Sequence, residues 1–230
     1  MLTVTPWGLA RVQCTAARKL RRVPVDAPSS SEPRRRRRRT PEVAEQEIIA
    51  AAEALLRERP FRELTVDEVM RRTDLSRPSF YVYFRDRHHL VLRVVEHIGG
   101  ELFTMADRWF TGEGDGPTLA REATEGIVAV FAEHGPVLRA LADAAADDPG
   151  VEAVYSELVQ SFIDATSEHI QHEIEAGRIL PLDAGETATA LVWMNERYLT
   201  LSLGREPATD RAAVARTLET IWSRVLYGET

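Results

Sequence analysis

Residues 65–90 read TVDEVMRRTDLSRPSFYVYFRDRHHL, and this stretch determines the fold that the sequence predicts. Thr65 followed by Glu68 has the spacing of a capping box, in which a hydroxyl and a carboxylate bind the free amides at a helix start. Ser76 and Asp86 are residue types that cap helices, so further helices are expected to begin after them. The stretch therefore predicts a short helix, a tight turn, a second short helix and the start of another.

Another helix is predicted before this stretch. Pro41 suits a first helical turn, and Arg59-Pro60 ends the helix because the residue before a proline is pushed out of the α region. Between them the apolar residues have the spacing of one helix face: Ile48, Ile49, Ala52, Leu55 and Leu56. Three short helices with a sharp turn before the last are typical of the helix-turn-helix, whose last helix enters the major groove of DNA.

The rest of the chain also predicts helices. Glycine, proline and aspartate clusters divide it into five predicted helices, over residues 118–134, 136–146, 150–176, 183–203 and 210–227. The alternation of apolar and polar residues that indicates strands does not appear, so the expected fold is all-α. We expect three segments: a basic disordered arm over 1–39, a helix-turn-helix DNA-binding domain over 40–95, and a helical ligand-binding and dimerisation domain over 96–230.

Charge is distributed unevenly along the chain. The total is −7, yet residues 1–39 carry a net +9, residues 40–95 carry −1 and residues 96–230 carry −15. Because a basic segment attracts phosphate and an acidic one repels it, we expect nucleic-acid binding at the front of the chain. Six consecutive arginines are predicted to follow the DNA backbone or minor groove: Arg34, Arg35, Arg36, Arg37, Arg38 and Arg39. The alternatives are a solvated tail without a role and attachment to RNA or a membrane surface.

Composition argues against several other classes of protein. The single Cys14 can form neither an intramolecular disulfide nor a four-ligand zinc site. Apolar runs stay far below the roughly 20 residues of a membrane span, and no secretory signal pattern follows Met1, so a cytoplasmic protein is expected. His169, His172 and Glu173 offer a metal pair without a fixed third ligand, and we interpret them as a solvated face. Since no nucleophile with a matched base is recognisable, neither an enzyme nor a cofactor is expected.

The sequence LSRPSFYVYF at residues 75–84, with Thr65 before it and Arg87 after it, resembles the DNA-binding signature of the TetR family of transcriptional regulators. The sequences MNER at 194–197 and IW at 221–222 resemble the EthR branch of that family. The resemblance implies a ligand-responsive repressor that binds an inverted-repeat operator as a dimer. The alternative is an architectural or non-sequence-specific DNA-binding protein whose C-terminal domain only dimerises.

Residues of the front motif fall into two chemical classes. Hydrogen-bond donors near helix starts suit phosphate and are predicted to position the module: Thr65, Ser76, Ser79, Tyr81, Tyr83 and Arg87. Arg77 can bind a guanine edge with two hydrogen bonds, and Pro78 or Val82 can touch a thymine methyl, so we predict that they read bases. The alternative for Tyr81 and Tyr83 is packing with an exposed hydroxyl. The other apolar members are expected in the core: Phe80, Phe84 and Leu90.

Asn195 indicates a ligand site in the third segment. It lies on an apolar stripe of the helix over 183–203, and burying an unpaired amide costs roughly 1 to 3 kcal/mol. A neighbouring helix or buried water satisfies the amide, or a ligand does. The matching asparagine of the EthR branch lines a long apolar tunnel, so the resemblance implies a site for a small apolar ligand that includes Tyr155, Phe162, Asn195 and Trp222. A pocket of different shape is expected, because smaller residues stand where the branch has large rings: Ala123, Val130 and His134.

The last helix is predicted to form a homodimer. It carries a second apolar stripe, which consists of Val214, Leu218, Ile221, Trp222 and Val225. Together with the helix over 183–203, this stripe can form a four-helix interface across a two-fold axis. We therefore predict dimer contacts through Leu218, Ile221 and Val225. The expected partners are double-stranded DNA, a second copy of the chain and a small apolar ligand.

Overall fold

The computed structural model describes residues 40–112 and 114–228. Within these ranges the chain forms eight α-helices, one short 3-10 helix at Phe61–Glu63 and no strand, which confirms the all-α prediction. None of the helices described is long and apolar enough to cross a membrane. The predicted DNA arm, Arg34 to Arg39, lies outside the described residues. The helices are α1 (Pro41–Glu58), α2 (Val66–Arg71), α3 (Arg77–Tyr83), α4 (Arg87–Thr111), α5 (Gly116–Ala145), α6 (Pro149–Glu175), α7 (Ala184–Leu203) and α8 (Arg211–Tyr227).

Side-chain caps begin most of these helices where the sequence predicts them. Asp86 accepts a hydrogen bond from the amide of His89 at 2.8 Å and begins α4. At the start of α2, Thr65 accepts from the amide of Glu68 at 3.3 Å, and its hydroxyl donates to the same residue's carboxylate at 3.0 Å. Ser76 precedes α3 as predicted, but its side chain caps no amide.

Helix α5 corrects one prediction. Gly135-Pro136 predicted a break between two helices, whereas α5 continues across both residues. A proline costs about 3 kcal/mol inside a helix, and burial of Val137 and Leu138 in the core offsets this cost. A Cβ atom on Gly135 would lie 2.7 Å from the backbone oxygen of Leu203 at the end of α7. The glycine is therefore required for close packing of two helices and does not mark a loop.

The helices form two modules that share α4. Helices α1 to α3 and the first turns of α4 form the small module, and α4 to α8 form the large one, in which α5 contacts every other helix. The small module is built on Phe61, Phe80, Phe84 and Leu90, each at most 2% exposed, which confirms the core prediction for the last three. Because only three residues separate α4 from α3, and α4 ends in the large module, it belongs to both modules, and α1 also packs directly on α5.

Candidate DNA interface and ligand cavity

Helix α3 buries one face and exposes the other. Phe80 forms the buried face, while Arg77, Pro78, Tyr81 and Val82 point outward, with Val82 75% exposed and Tyr81 55% exposed. A guanidinium, a proline ring and two methyl groups offer both hydrogen bonds and apolar contacts to base edges, and the exposed phenol of Tyr81 offers a donor to phosphate. The short helix thus presents the chemistry that base readout requires.

The predicted phosphate donors lie beside this face. Thr65 and Ser76 are exposed at the starts of α2 and α3, and Tyr83 is half-buried. The hydroxyl oxygens of Ser76 and Ser79 lie 2.9 Å apart and hydrogen-bond to each other. Only one hydroxyl hydrogen is used in that bond, so the other remains available to a phosphate oxygen.

Arg77 is held beside α2. Its Nε lies 3.1 Å from Oδ1 of Asp67, and both side chains are more than half exposed. An exposed ion pair of this kind contributes roughly 0 to 1 kcal/mol. The guanidinium can therefore exchange Asp67 for a guanine edge at little cost.

Arg87 has partners within the protein. Its guanidinium lies 4.7 Å from the centre of the Phe61 ring, and its Nη2 lies 4.0 Å from Oδ2 of Asp148, the residue that caps α6. His88 Nε2 lies 3.0 Å from the same oxygen, and this hydrogen bond is the main cause that lowers the pKa of Asp148. Arg87 is predicted from the sequence to bind phosphate, whereas here it helps His88 to fasten the start of α4 to the start of α6.

A buried polar contact also joins α1 to the large module. His134 of α5 has Nδ1 at 3.4 Å from Glu53 Oε2 of α1 and Nε2 at 3.2 Å from Glu101 Oε2 of α4. His134 and Glu53 are both less than 10% exposed. One imidazole thus faces carboxylates from two other helices. His134 therefore belongs to the joint between the modules and, like Val130, does not line the cavity described next.

The large module contains an apolar cavity of about 100 Å³. By the same measure one water needs about 10 to 15 Å³, so the space is large enough for part of an organic molecule. All five helices of the large module contribute to its wall. The four predicted ligand residues line it together: Tyr155, Phe162, Asn195 and Trp222. Ala123 lines it as well.

Three side-chain hydrogen bonds involve Asn195 and Glu196 in the polar part of the wall. Trp222 Nε1 donates to Asn195 Oδ1 at 2.9 Å, so a neighbouring helix satisfies the carbonyl, and the Asn195 nitrogen has no hydrogen bond among the described residues. The Tyr155 hydroxyl donates to Oε1 of Glu196 at 2.6 Å, and the Thr200 hydroxyl donates to the same oxygen at 3.1 Å. Burial raises the pKa of Tyr155 well above its ordinary value, which keeps the phenol a donor.

Glu196 is a charged cavity residue that the sequence prediction missed. It stands directly after Asn195 in the motif MNER, whose only signal in the sequence is its resemblance to the EthR branch. A charged side chain next to an apolar stripe is usually exposed to solvent. Its hydrogen bond to Tyr155, 41 positions away, is visible only once the helices are packed.

Aromatic contacts connect α4 to the cavity wall. Phe103 stacks on Phe162 of α6 with ring centres 4.0 Å apart. Trp109 meets Trp222 of α8 edge-on at 5.5 Å, and its Nε1 donates to the hydroxyl of Tyr227 at 3.0 Å. The far end of α4 is therefore in contact with two of the predicted ligand residues.

Helix α8 corrects part of the dimer prediction. Leu218 and Val214 are fully buried within the chain, so Leu218 reaches the core of its own protomer and is not available to a partner. Ile221 is half-buried and Val225 is 44% exposed, so both remain candidates for a dimer contact. Two large apolar side chains on α7 are also exposed and were not predicted, Trp193 and Leu201.

His169 and Glu173 contradict the interpretation of a solvated face. Both are buried, and only His172 of the group is exposed. The His169 ring lies 4.1 Å from that of Trp109, and burial lowers the pKa of His169, so a neutral ring suits this packing. Glu173 accepts a hydrogen bond from Arg178 at 2.8 Å. In the part of the chain that the structure describes, no group of three or more His, Cys, Asp or Glu side chains is placed to hold a metal.

Two modules of this kind, an exposed recognition helix and a helical domain with a cavity, define a helix-turn-helix transcriptional regulator. Residues 48–94 match the family described as bacterial regulatory proteins, tetR family, and residues 120–228 match the C-terminal domain of the transcriptional regulator EthR. The chain therefore belongs to the TetR family and to its EthR branch, as the sequence predicted, and it is a DNA-binding regulator of transcription.

Individual relatives agree with this assignment. The chain is 35% identical over 213 residues to the HTH-type transcriptional regulator EthR of Mycobacterium tuberculosis, across 88% of this chain and 97% of the relative. It is 31% identical over 191 residues to EthR of Mycolicibacterium smegmatis, across 80% of this chain and 86% of the relative. A TetR-family regulator from Syntrophomonas wolfei has the same fold, with a TM-score of 0.72 at 13% identity over 80% of this chain and 95% of that one.

Proposed function

We propose that this regulator is a repressor, that it binds an inverted-repeat operator as a homodimer, and that a small apolar molecule in the cavity releases it from DNA. The observation that carries the proposal is the position of α4. This helix begins at Arg87, directly after α3, and its last turns supply Trp109 and Phe110 to the cavity wall. A change in the cavity wall therefore acts on the helix that holds the recognition helix in place.

The ligand shifts the equilibrium between two arrangements of the modules. It alters DNA affinity only as far as its own affinity differs between those arrangements. Asp148 and His134 join the modules at two separate points, so each arrangement is defined by contacts from both. In the proposed released state, the two recognition helices of the dimer no longer match successive major grooves.

We propose that the dimer interface consists of exposed apolar side chains of α7 and α8. Trp193, Leu201 and Val225 are each 44% or more exposed in the single chain, and Ile221, one helical turn before Val225, is half-buried. A second copy related by a two-fold axis covers the same residues on both chains. The recognition helices then lie about 34 Å apart, or a multiple of this distance, as an inverted repeat requires.

The basic arm is assigned a supporting role in this proposal. Residues 1–39 supply contacts to phosphate without base preference, residues 40–95 read the operator, and residues 96–230 bind the ligand and the second copy. A bacterial regulator meets its operator in the cytoplasm, and we place this protein there.

Selection from random DNA, followed by a reporter assay, tests whether the protein is a repressor that binds an inverted repeat as a dimer. A sequence-specific dimer enriches one inverted repeat, whereas an architectural protein enriches base composition or nothing. The enriched site is then placed before a reporter gene, where a repressor lowers expression. Enrichment without an inverted repeat, or raised expression, contradicts the proposal.

A thermal-shift screen with apolar compounds tests the second half. Compounds that raise the Tm are then titrated against the complex of the protein with its operator, and release is followed by fluorescence anisotropy. We expect compounds that stabilise the protein to lower operator affinity. Compounds that stabilise it and leave operator affinity unchanged would show that the cavity is not coupled to DNA.

A further inference from the structure

Glu196 places a carboxylate in the wall of an otherwise largely apolar cavity. Two hydroxyls hold it there, since Tyr155 and Thr200 both donate to Oε1, at 2.6 and 3.1 Å. Glu196 itself is half-buried, whereas Tyr155 is 7% exposed and Thr200 is 2% exposed, so the Oε1 that they share is held on the side of the carboxylate that faces the protein. The carboxylate therefore forms part of the surface that a bound molecule meets.

This carboxylate has no positive partner in the described part of the chain. No arginine, lysine or histidine described there lies within 4.0 Å of it. Both of its hydrogen bonds fall on Oε1, and Oε2 accepts none from any residue described. Removing a charge from water without a counterion is unfavourable, so a ligand that supplies a positive charge gains more here than a neutral one.

The rings around the cavity favour the same kind of ligand. Trp109, Tyr155, Phe162 and Trp222 all line it. The faces of aromatic rings attract cations, most strongly where water is excluded. A carboxylate combined with aromatic rings is chemistry that suits an ammonium group with an apolar body.

We propose that the cavity binds an apolar amine, with its protonated nitrogen on Glu196 and its hydrocarbon body among α4, α5 and α6. This inference rests on the proposed ligand response and adds the chemical class of the ligand. The ammonium group donates to Oε2 and neutralises the carboxylate. An alcohol of the same length donates one hydrogen bond but brings no charge, and a fatty acid of the same length is repelled. For ligands of equal length, the binding affinity should therefore decrease in the order amine, alcohol, carboxylate.

Octylamine, octanol and octanoate test this order because they share one hydrocarbon chain. Their binding to the full-length protein is measured by isothermal titration calorimetry near neutral pH. DNA is omitted, since amines also bind phosphate. We expect octylamine to bind about tenfold more tightly than octanol, because a charge-assisted hydrogen bond is about twice as strong as a neutral one. Octanoate is expected to bind most weakly.

Substitutions of Glu196, with a control substitution of Glu157, test whether the preference for the amine depends on the Glu196 charge. Glu196→Gln keeps the shape of the side chain and removes its charge, so the ratio of octylamine to octanol affinity should fall to about one. Glu157→Gln removes the same charge from an exposed position on α6 and should leave the ratio unchanged, which controls for general attraction of amines to an acidic protein. Glu196→Ala removes the charge together with the shape of the side chain and should likewise bring the ratio to about one, so it serves as the second test if Glu196→Gln does not fold.

Equal binding of octylamine and octanol to the unmodified protein overturns the proposal. A preference for octylamine that survives Glu196→Gln overturns it as well. In both cases the broader ligand response still stands, because an apolar compound then binds without the proposed contribution of the Glu196 charge. If none of the three binds and no apolar compound releases DNA, both this inference and the proposed ligand response fail.

Discussion

Helix α3 and the cavity are formed from the same chain in different ways. Helix α3 has seven residues, and the side chains that it turns outward lie between Arg77 and Val82. The cavity is lined by five helices, with residues that range from Leu102 to Trp222 along the chain. The proposed DNA-reading surface is therefore a local property that single residues carry. The proposed ligand site is a property of the whole packed module.

Leu218→Glu should break the large module and is expected to have the largest effect. The substitution places a carboxylate at a fully buried position and should lower the free energy of unfolding by about 4 kcal/mol or more. Chemical denaturation followed by circular dichroism measures this decrease. Val225→Glu, on the exposed side of the same helix, is the matched control and should weaken only the dimer in light scattering. A stable Leu218→Glu variant would mean that the large module tolerates single changes as well as α3 does.

Arg77→Ala should alter DNA reading without affecting the fold. Operator affinity is expected to fall about tenfold to a hundredfold, since a bidentate contact to guanine contributes roughly 1 to 3 kcal/mol of discrimination. The Tm should stay unchanged because the ion pair with Asp67 is exposed. Anisotropy titrations with the operator and its single-base variants measure both affinity and preference. An equal decrease in affinity for every sequence would show that Arg77 binds phosphate instead.

Removal of residues 1–39 separates general attraction to DNA from base reading. The truncated protein should bind less tightly at low salt and keep the same preferred sequence. The slope of log K against log salt concentration should become shallower by about 0.9 for each phosphate that the arm neutralises in the full-length protein. Titrations at several salt concentrations give this slope, and a slope identical to that of the full chain would show that the arm does not contact DNA.

Asn195→Leu tests how much the hydrogen bond between Asn195 and Trp222 contributes to stability and to the ligand response. The change leaves Trp222 Nε1 without its acceptor and should lower the free energy of unfolding by about 1 kcal/mol. It should also reduce the response to polar-ended ligands more than the response to hydrocarbons. Asn195→Asp keeps an acceptor for the indole and is the control. Thermal shifts with paired ligands measure the response, and an equal reduction for both ligand types would contradict the assigned role.

Asp148→Asn is expected to have the smallest effect. The residue keeps its ability to cap α6 but loses its charge beside His88. Because the folded state lowers the pKa of Asp148, its ionised carboxylate stabilises the fold above the unfolded pKa of about 4, and this stabilisation disappears as pH falls through the folded value. The Tm difference between variant and wild type should therefore be small near pH 7 and vanish in acid. A Tm difference that grows in acid would contradict the stabilising role assigned to the charge of Asp148.

The sequence predicts most accurately where the physical cause is local. Thr65 and Asp86 mark helix starts because a cap needs only the next three residues. The recognition helix is predictable for the same reason, since its motif lies within ten residues of Leu75. In the large module, the resemblance to a family identified Tyr155, Phe162, Asn195 and Trp222, which the structure brings together around one cavity.

Features that depend on packing between distant helices could not be read from the sequence. The partner of Asn195 stands 27 positions away on α8. Leu218 and Val225 lie on one predicted apolar stripe, but the packing of α8 on α5 decides which of them is buried. Pro136 indicates a helix end by propensity, and the contact of Gly135 with α7 overrides that preference.

The length of α4 sets the scale of any movement that it transmits. Its 25 residues span about 37 Å at 1.5 Å per residue. A rotation of about 5° at the cavity end displaces the other end by about 3 Å over that length, which is roughly half the width of the minor groove. In a two-fold dimer the displacements of the two ends add. Under the proposed ligand response, α4 therefore acts as a lever arm. A ligand should then alter the preferred spacing of the two half-sites more than the preferred bases within either one.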